Sequence, residues 1–204
     1  MVLTLPRRCS KHDGVAFLQS KSRWVERKLS EPSPNPSLEQ HFESGGRVYV
    51  DDSTRVVRIV VISAPRRISW SLEKAGELEL KILEDVPREP QLLELLLSFA
   101  KERLPSLVFD LAAEAGEEVA KVRVGNQRTR WGSCSEKGTI SLNWRVVLLE
   151  PCLRDYVILH EIAHLRHMNH SDAFWLGLEE LYSNARLADR RLNELGKDLM
   201  ALGH

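Results

Sequence analysis

From Leu153 to Leu165 the chain is apolar on nearly every side of a predicted helix, yet this stretch contains His160, Glu161 and His164. A helix that is apolar all round is buried, and buried imidazole and carboxylate groups need partners because their removal from water is costly. Residues at i and i+4 lie on one face of an α-helix, about 6 Å apart along the axis at a rise of ~1.5 Å per residue. Both imidazoles can therefore reach one ion, and we predict a metal ion as their partner.

Glu161 lies between the two histidines, about 100° round the helix from His160. Its carboxylate is thus expected beside the ion, where it can act as a general base on water, the role that this spacing serves in zinc peptidases. Pro151 follows Glu150 at the expected start of the helix, in the first turn where proline is tolerated. In the alternative interpretation the histidines are core residues bonded to carbonyls and Glu161 pairs with an arginine. Composition and spacing together favour the metal.

A catalytic zinc usually has three protein ligands and one position left for water, and two residues compete to be the third ligand. His167 stays near the metal face if the helix continues, whereas His170 requires the chain to turn back. Asn169 tolerates the left-handed backbone that would make this turn, and Ser171 is a suitable cap for a new helix, so we favour His170. Residues 173–181 have helical spacing and are predicted to pack across the metal helix.

Several further motifs stand in register with the metal motif. They are Arg130-Trp131-Gly132-Ser133-Cys134, Ile140-Ser141-Leu142-Asn143, Tyr156-Val157 and Asn169-His170-Ser171 with Phe174-Trp175. Together they resemble the YgjP-like metallopeptidase family, whose relatives include the SprT-like and Wss1-like zincins. The resemblance implies a zincin-like fold and one zinc held by His160, His164 and His170. It also implies Glu161 as the catalytic base, and a nucleotide phosphohydrolase activity has been associated with the same group.

The chain departs from the family pattern after the Phe-Trp helix. Relatives tend to have a Pro-Asp-Tyr-like segment there, whereas this chain has Leu181-Tyr182-Ser183-Asn184-Ala185-Arg186. We therefore assign no role at the metal to Tyr182.

The patterns along the chain predict an α+β fold in two parts. Strand-like runs at 48–50, 55–62 and 68–72 indicate a β-rich N-terminal subdomain over residues 1–88. Residues 89–204 are predicted to form a zincin-like metallopeptidase domain, in which the metal helix packs beside a small sheet. This domain begins with a helical pattern that Pro105 is expected to kink or interrupt and that Gly116 ends. The proline-rich stretch 31–37 is expected to be an exposed loop.

Three short strands are predicted at 119–124, 129–133 and 139–144, the last two joined by a turn at 135–138. If the strand at 139–143 is the sheet edge beside the metal helix, its free backbone groups can pair with an extended peptide substrate. Trp131 and Trp144 are candidates for the walls of a cleft, although tryptophans in short strands are more often core residues.

The charge distribution gives only local clues about partners. The formal net charge of zero lacks the electrostatic footprint of a nucleic-acid binder. Arg128 and Arg130 alternate on a predicted strand and would face the same side, where they could bind a carboxylate or phosphate of the substrate. The alternative is a buried pairing of these arginines with a glutamate of the helical region. A peptide or protein is the expected substrate. Hydrolysis of nucleotides or other phosphorylated small molecules is the alternative, and it requires Arg123, Arg128 or Arg130 to converge on the metal.

A third alternative is a non-catalytic module stabilised by zinc. The sequence disfavours it, because three ligands with an adjacent base are typical of a catalytic site, whereas structural sites usually fill all four positions.

Composition indicates a soluble globular protein, with 43% hydrophobic and 28% charged residues. No apolar run is long enough to span a bilayer, and the first ten residues lack the apolar core of a signal peptide. We therefore expect a cytoplasmic protein with no membrane partner. Cys9, Cys134 and Cys152 are widely spaced and contain no Cys-x-x-Cys pair, so reduced thiols are expected, with Cys134 as a small buried side chain.

Overall fold

The structure is a computed structural model of the 204-residue chain and describes residues 10–23, 36–50, 53–63, 66–73 and 76–203. Its contacts divide the chain into two units, Met1–Asn35 and Pro36–His204. In the first unit the described residues form helix α1 (Lys11–Ser20). The second unit has helices and two small sheets, which confirms the predicted α+β class. The boundary at residue 88 stays a prediction.

The first sheet has four strands and lies at the start of the second unit. They are β1 (Arg47–Val50), β2 (Ser53–Ile62), β3 (Ser69–Glu73) and β4 (Glu77–Leu83), in the spatial order β1-β2-β4-β3. The three predicted strand runs are confirmed, but β4 was not predicted. It is the most buried strand of this sheet, with Leu78, Leu80 and Ile82 fully inaccessible to solvent.

A long helix, α3 (Arg88–Glu114), contacts both sheets and carries much of the core. Pro105 lies inside it without interrupting it, and Gly116 follows its end with the left-handed φ of 69° that a C-terminal cap requires. The short helix α2 (Leu38–Glu43) begins with a capping box between Ser37 and Gln40. The predicted exposed loop at 31–37 falls largely on residues 31–35, which lie outside the described residues.

The second sheet has three strands, β5 (Lys121–Gly125), β6 (Gly132–Cys134) and β7 (Thr139–Asn143), in the order β5-β7-β6. The possibility that residues 139–143 form the sheet edge is excluded, because β7 is the central strand and Ile140 and Leu142 are fully buried. It is β6 that lies at the edge and contacts the predicted metal helix. The turn at 135–138 is confirmed, and Gly138 N–H donates to the Ser135 carbonyl at 2.9 Å.

A 3₁₀ helix (Trp144–Leu148) leads from β7 into three helices, α4 (Pro151–Ala163), α5 (Asp172–Leu181) and α6 (Ala185–Ala201). Pro151 stands at the start of α4, and Ser171 is the N-cap of α5, both as predicted. Helix α4 contacts β6, α5 and α6, so the predicted packing of residues 173–181 across the metal helix is confirmed. Within the described parts of the chain, no helix has both the length and the apolar character needed to cross a membrane.

A fully buried asparagine organises the segment between β5 and β6. The Asn143 side-chain amide donates to the Gln127 carbonyl at 2.8 Å and to the Arg130 carbonyl at 3.0 Å. Its side-chain oxygen accepts from the backbone N–H of Arg145 at 3.1 Å and from the Arg145 guanidinium at 3.0 Å. One side chain therefore holds the 126–131 segment against the end of β7.

Arg145 is also fully buried and extends this connection to the C-terminal helix. Its guanidinium donates to the Leu202 carbonyl, which is 2.9 Å from Nε, and to Asn126 Oδ1 at 2.8 Å. Burial lowers the pKa of Arg145 to about 10, so the group remains cationic at neutral pH. We name Asn143 and Arg145 the polar hub, because together they connect β7, the 126–131 segment and the end of α6.

Replacing Arg145 by Met should lower the free energy of unfolding by roughly 2–4 kcal/mol, because the buried Leu202 carbonyl and the Asn143 side-chain oxygen lose donors. Urea unfolding of the metal-free protein measures this change. The control is Arg123→Met, an exposed position on β5, for which a change within about 0.5 kcal/mol is expected. Equal stability of the two variants would contradict the hub.

Candidate metal centre

Three histidines converge where α4 ends and the chain turns towards α5. The Nε2 atoms of His160 and His170 are 2.9 Å apart, and ligand atoms of His160, His164 and His170 all lie within 4.8 Å of one another. Imidazole nitrogens this close can share one divalent ion. The structure thus brings the three predicted ligands together, although their role as ligands stays a prediction.

His167, the competing candidate, does not join this cluster. Its ring lies against Gly177 of α5, where a Cβ atom would be 3.6 Å from its Cδ2. Its backbone carbonyl instead lies 2.8 Å from Nδ1 of His164. This contact places the His164 proton on Nδ1 and leaves a lone pair on its Nε2.

The turn that returns His170 towards His160 is stabilised differently from the prediction. Among the described non-glycine residues only Asn184 has a positive φ, so the expectation of a left-handed Asn169 is wrong. Its side-chain oxygen accepts from the Ser171 backbone N–H at 3.3 Å. This Asx turn reverses the chain through a side-chain hydrogen bond and needs no left-handed backbone.

Aromatic packing from α5 fixes the imidazole rings from behind. Phe174 is fully buried, and its ring stacks on His164 with centroids 4.6 Å apart. Trp175 is half-buried, with its ring centroid 6.3 Å from that of His170. Phe174 is thus a core residue behind the imidazoles, while Trp175 stands at the edge of the cluster.

A hydrogen-bonded chain that sequence reasoning missed supports His160. The Tyr156 hydroxyl donates to Asp189 Oδ1 at 3.0 Å, and its oxygen lies 3.3 Å from His160 Nδ1. Because the hydroxyl proton points to Asp189, the tyrosine oxygen is free to accept from His160 Nδ1–H, which leaves Nε2 with a lone pair. Tyr156 lies one helical turn before His160, a detectable signal, but no local pattern connects α4 to Asp189 on α6.

Burial keeps the imidazoles of His160 and His164 neutral. Burial, with added repulsion from His164 and His170, lowers the pKa of His160 to about 3. Burial also lowers the pKa of His164. Metal ions bind neutral imidazole, so few protons compete for the lone pairs of these two residues at neutral pH.

Glu161 is buried beside the cluster and faces β6. A Cβ atom on Gly132 would lie 2.5 Å from Glu161 Oε1, so only glycine allows the strand to pass this close to the carboxylate. Burial raises the pKa of Glu161 to about 7, while the positive charge of Arg130 opposes this rise. Its Oε2 atom is buried and makes no hydrogen bond, so the predicted alternative of a direct pairing with an arginine is not observed.

A cavity of about 200 Å³ opens on this carboxylate and on His160. Arg130 and Trp131 contribute to its wall, whereas Trp144 is fully buried core. Arg128 lines a neighbouring cavity and Arg123 lies on β5, at the far side of the sheet from α4. The prediction that Arg128 and Arg130 share one strand face is wrong, because β6 begins only at Gly132.

Two other candidate residues have structural contacts. The Tyr182 hydroxyl donates to the Cys152 carbonyl at 2.9 Å, near the start of α4 and away from its histidine end. Cys134 is half-buried in β6, and burial together with the Glu161 charge raises the pKa of its thiol. Cys134 and Cys152 are free thiols, as predicted, while Cys9 lies outside the described residues.

A buried carboxylate with an unpartnered oxygen, next to neutral imidazoles with available lone pairs, suits a divalent cation and a water molecule. The protein is a metal-dependent hydrolase of the metallopeptidase class. More specifically, the chain belongs to the YgjP-like family, whose metallopeptidase-domain model matches residues 1–195.

Two crystal structures are similar to part of the chain. The metallopeptidase zymogen abylysin of Pyrococcus abyssi is 28% identical, with a TM-score of 0.40, over 45% of this chain and 94% of its own. The metallopeptidase zymogen jannalysin of Methanocaldococcus jannaschii is 23% identical, with a TM-score of 0.39, over 46% and 94%. Comparison with curated proteins gave no match.

Replacing Tyr156 by Phe should weaken zinc binding about 10- to 100-fold, because His160 loses the acceptor that orients its ring and fixes its tautomer. Competition against a chelating dye measures the affinity. Tyr182→Phe is the matched control, since it removes a hydroxyl bonded to the Cys152 carbonyl. If both variants bind zinc as tightly as the wild type, the hydroxyl of Tyr156 does not support the site.

Replacing Gly132 by Ala should leave the metal bound but reduce hydrolysis about 100-fold, because the new methyl group displaces the Glu161 carboxylate. Activity and metal content are measured on the same preparation. Gly125→Ala is the control in the same sheet, where the added Cβ would meet only the Gln127 side chain at 3.5 Å. Full activity of Gly132→Ala would mean that the carboxylate position is not critical.

Proposed function

We propose that this protein is a zinc-dependent peptidase of zincin-like fold, in which His160, His164 and His170 hold one zinc ion and Glu161 is the general base. The observation that carries the proposal is the buried, unpartnered Oε2 of Glu161 beside three converging imidazoles. A bare carboxylate oxygen in that position is costly unless a metal-associated water or a substrate satisfies it. Soft and borderline metals accept imidazole, and three such ligands with an open position are typical of catalytic zinc.

The zinc ion would supply Lewis-acid polarisation of the scissile carbonyl and a lowered pKa for water. Glu161 then accepts the proton of the attacking water and returns it to the departing amine. A pKa raised towards neutrality suits both directions of this transfer. Gly132 keeps the carboxylate in place from one side, and the Tyr156 hydroxyl orients the His160 ring from the other.

Strand β6 is the element that supports a peptide as substrate. It pairs with β7 on one side only among the described strands, and it borders the cavity at Gly132. An extended peptide can therefore add to its free backbone edge, the role that sequence reasoning gave to residues 139–143. The phosphohydrolase alternative is not favoured, because only Arg130 of the three candidate arginines borders the cavity that contains Glu161.

The purified protein should bind about one zinc per chain, and Glu161→Gln should retain that zinc while peptide hydrolysis falls by at least 100-fold, within the roughly 10²–10⁴-fold range for loss of a general base. Metal content and cleavage of a mixed peptide library measure the two effects. Glu180→Gln, an exposed position on α5, is the matched control and should remain active. A Glu161→Gln protein that is still fully active would remove Glu161 from the mechanism.

A further inference from the structure

We propose that the cleft between the 126–131 segment and helix α6 is a substrate subsite for a carboxylate, supplied by an acidic side chain or by the C-terminus of a peptide. We name it the cationic cleft and define it by Arg128, Trp131 and Lys197. The inference rests on the proposed peptidase function, since it names the kind of substrate that the same centre would select.

The position of the cleft connects it to the reacting groups. Its cavity of about 340 Å³ adjoins the cavity of about 200 Å³ that contains His160 and Glu161. The two cavities share Trp131, Leu192 and Asn193 in their walls. A peptide whose scissile bond lies beside Glu161 can therefore place a neighbouring residue in the cationic cleft.

The charged residues that line the cleft are both cations, and neither has a partner within the described residues. Arg128 and Lys197 line it, and no aspartate or glutamate does. Within the described residues neither cation makes an ion pair or a side-chain hydrogen bond, whereas Arg58 and Arg88, for example, are paired with glutamates. Both cations are therefore free to bind a carboxylate of the substrate.

Asp189 of helix α6 lines only the metal-side cavity and forms no ion pair with Arg128 or Lys197. Asp189 accepts from the Tyr156 hydroxyl through Oδ1, and its Oδ2 accepts from the Asn193 side-chain amide at 3.1 Å. Both of its oxygens are thus engaged within the wall. Arg130, which lines the metal-side cavity, adds a further positive charge next to the cleft.

The shape of the cleft is set before any substrate binds. Gly196 lets α6 approach the Trp131 indole, since a Cβ atom at this position would lie 2.9 Å from the ring. On the other wall, the Asn143 side-chain amide donates to the carbonyls of Gln127 and Arg130. These two bonds hold the backbone on both sides of Arg128. The backbone that carries the two cations is thus held in place on both walls, and two positive charges favour a carboxylate over its neutral amide.

The test compares peptides that differ only in charge. One pair has Glu or Gln at a residue beside the scissile bond, and a second pair has a free or amidated C-terminus. Binding of labelled peptides to zinc-loaded Glu161→Gln protein is followed by fluorescence anisotropy, and cleavage by the active protein is followed in parallel. At least one acidic form should bind about five- to tenfold more tightly than its amide, the range expected for partly exposed cations.

Replacement of both cations, Arg128→Gln with Lys197→Gln, should bring that binding ratio close to one. The control is Arg123→Gln with Lys101→Gln, which removes the same charge from exposed positions outside the cleft and should leave the ratio unchanged. Zinc content verifies that each variant has an intact centre.

The inference is overturned if neither acidic peptide is preferred, or if the preference survives in the Arg128→Gln Lys197→Gln protein. It is also overturned if these two residues govern binding of a nucleoside triphosphate but not of acidic peptides. Failure of the proposed function has a different signature, namely that no peptide is cleaved in a Glu161-dependent way. A charge preference in binding would then still support the subsite.

Discussion

The buried hydrogen bonds of Asn143 and Arg145 are the constraint on which the arrangement of the site depends. The two residues follow one another closely at the end of β7, yet they reach the 126–131 segment and the carbonyl of Leu202 beyond α6. The 126–131 segment and helix α6, which ends immediately before Leu202, both line the two cavities. A fully buried cation is stable only when its donors are satisfied, so the hub fixes the separation of the walls as a condition of folding.

The imidazoles and the carboxylate illustrate how one physical cause, burial, prepares different groups for different tasks. Removal from water disfavours the charged form of each group, which leaves His160 neutral and makes Glu161 a stronger base. Neutral imidazole binds a metal, and a carboxylate with a raised pKa exchanges protons near neutral pH. The apolar sides of α4 thus determine its packing and also tune the groups that it carries.

Local periodicity predicted the parts of the fold and of the site that depend on one element. The spacing of His160 and His164 on an apolar helix is such a case, and so is the cap at Ser171. Strand β4 was missed because Glu, Leu and Lys favour helices, although residues 77–82 alternate between polar and apolar. The edge position of β6 arises because β7 lies between β5 and β6 in the sheet. The contact of Tyr156 with Asp189 joins residues that are 33 positions apart. Neither is encoded in a local pattern.

The hydrogen-bonded chain from Asp189 through Tyr156 to His160 has a thermodynamic consequence. Asp189 on helix α6 is the last acceptor of this chain. An ion that rigidifies the imidazole cluster therefore raises the free energy of local opening of α6. By reciprocity, any perturbation that loosens this helix raises the dissociation constant of the ion by the same coupling free energy. Metal binding at the three histidines and the local stability of helix α6 are therefore thermodynamically coupled.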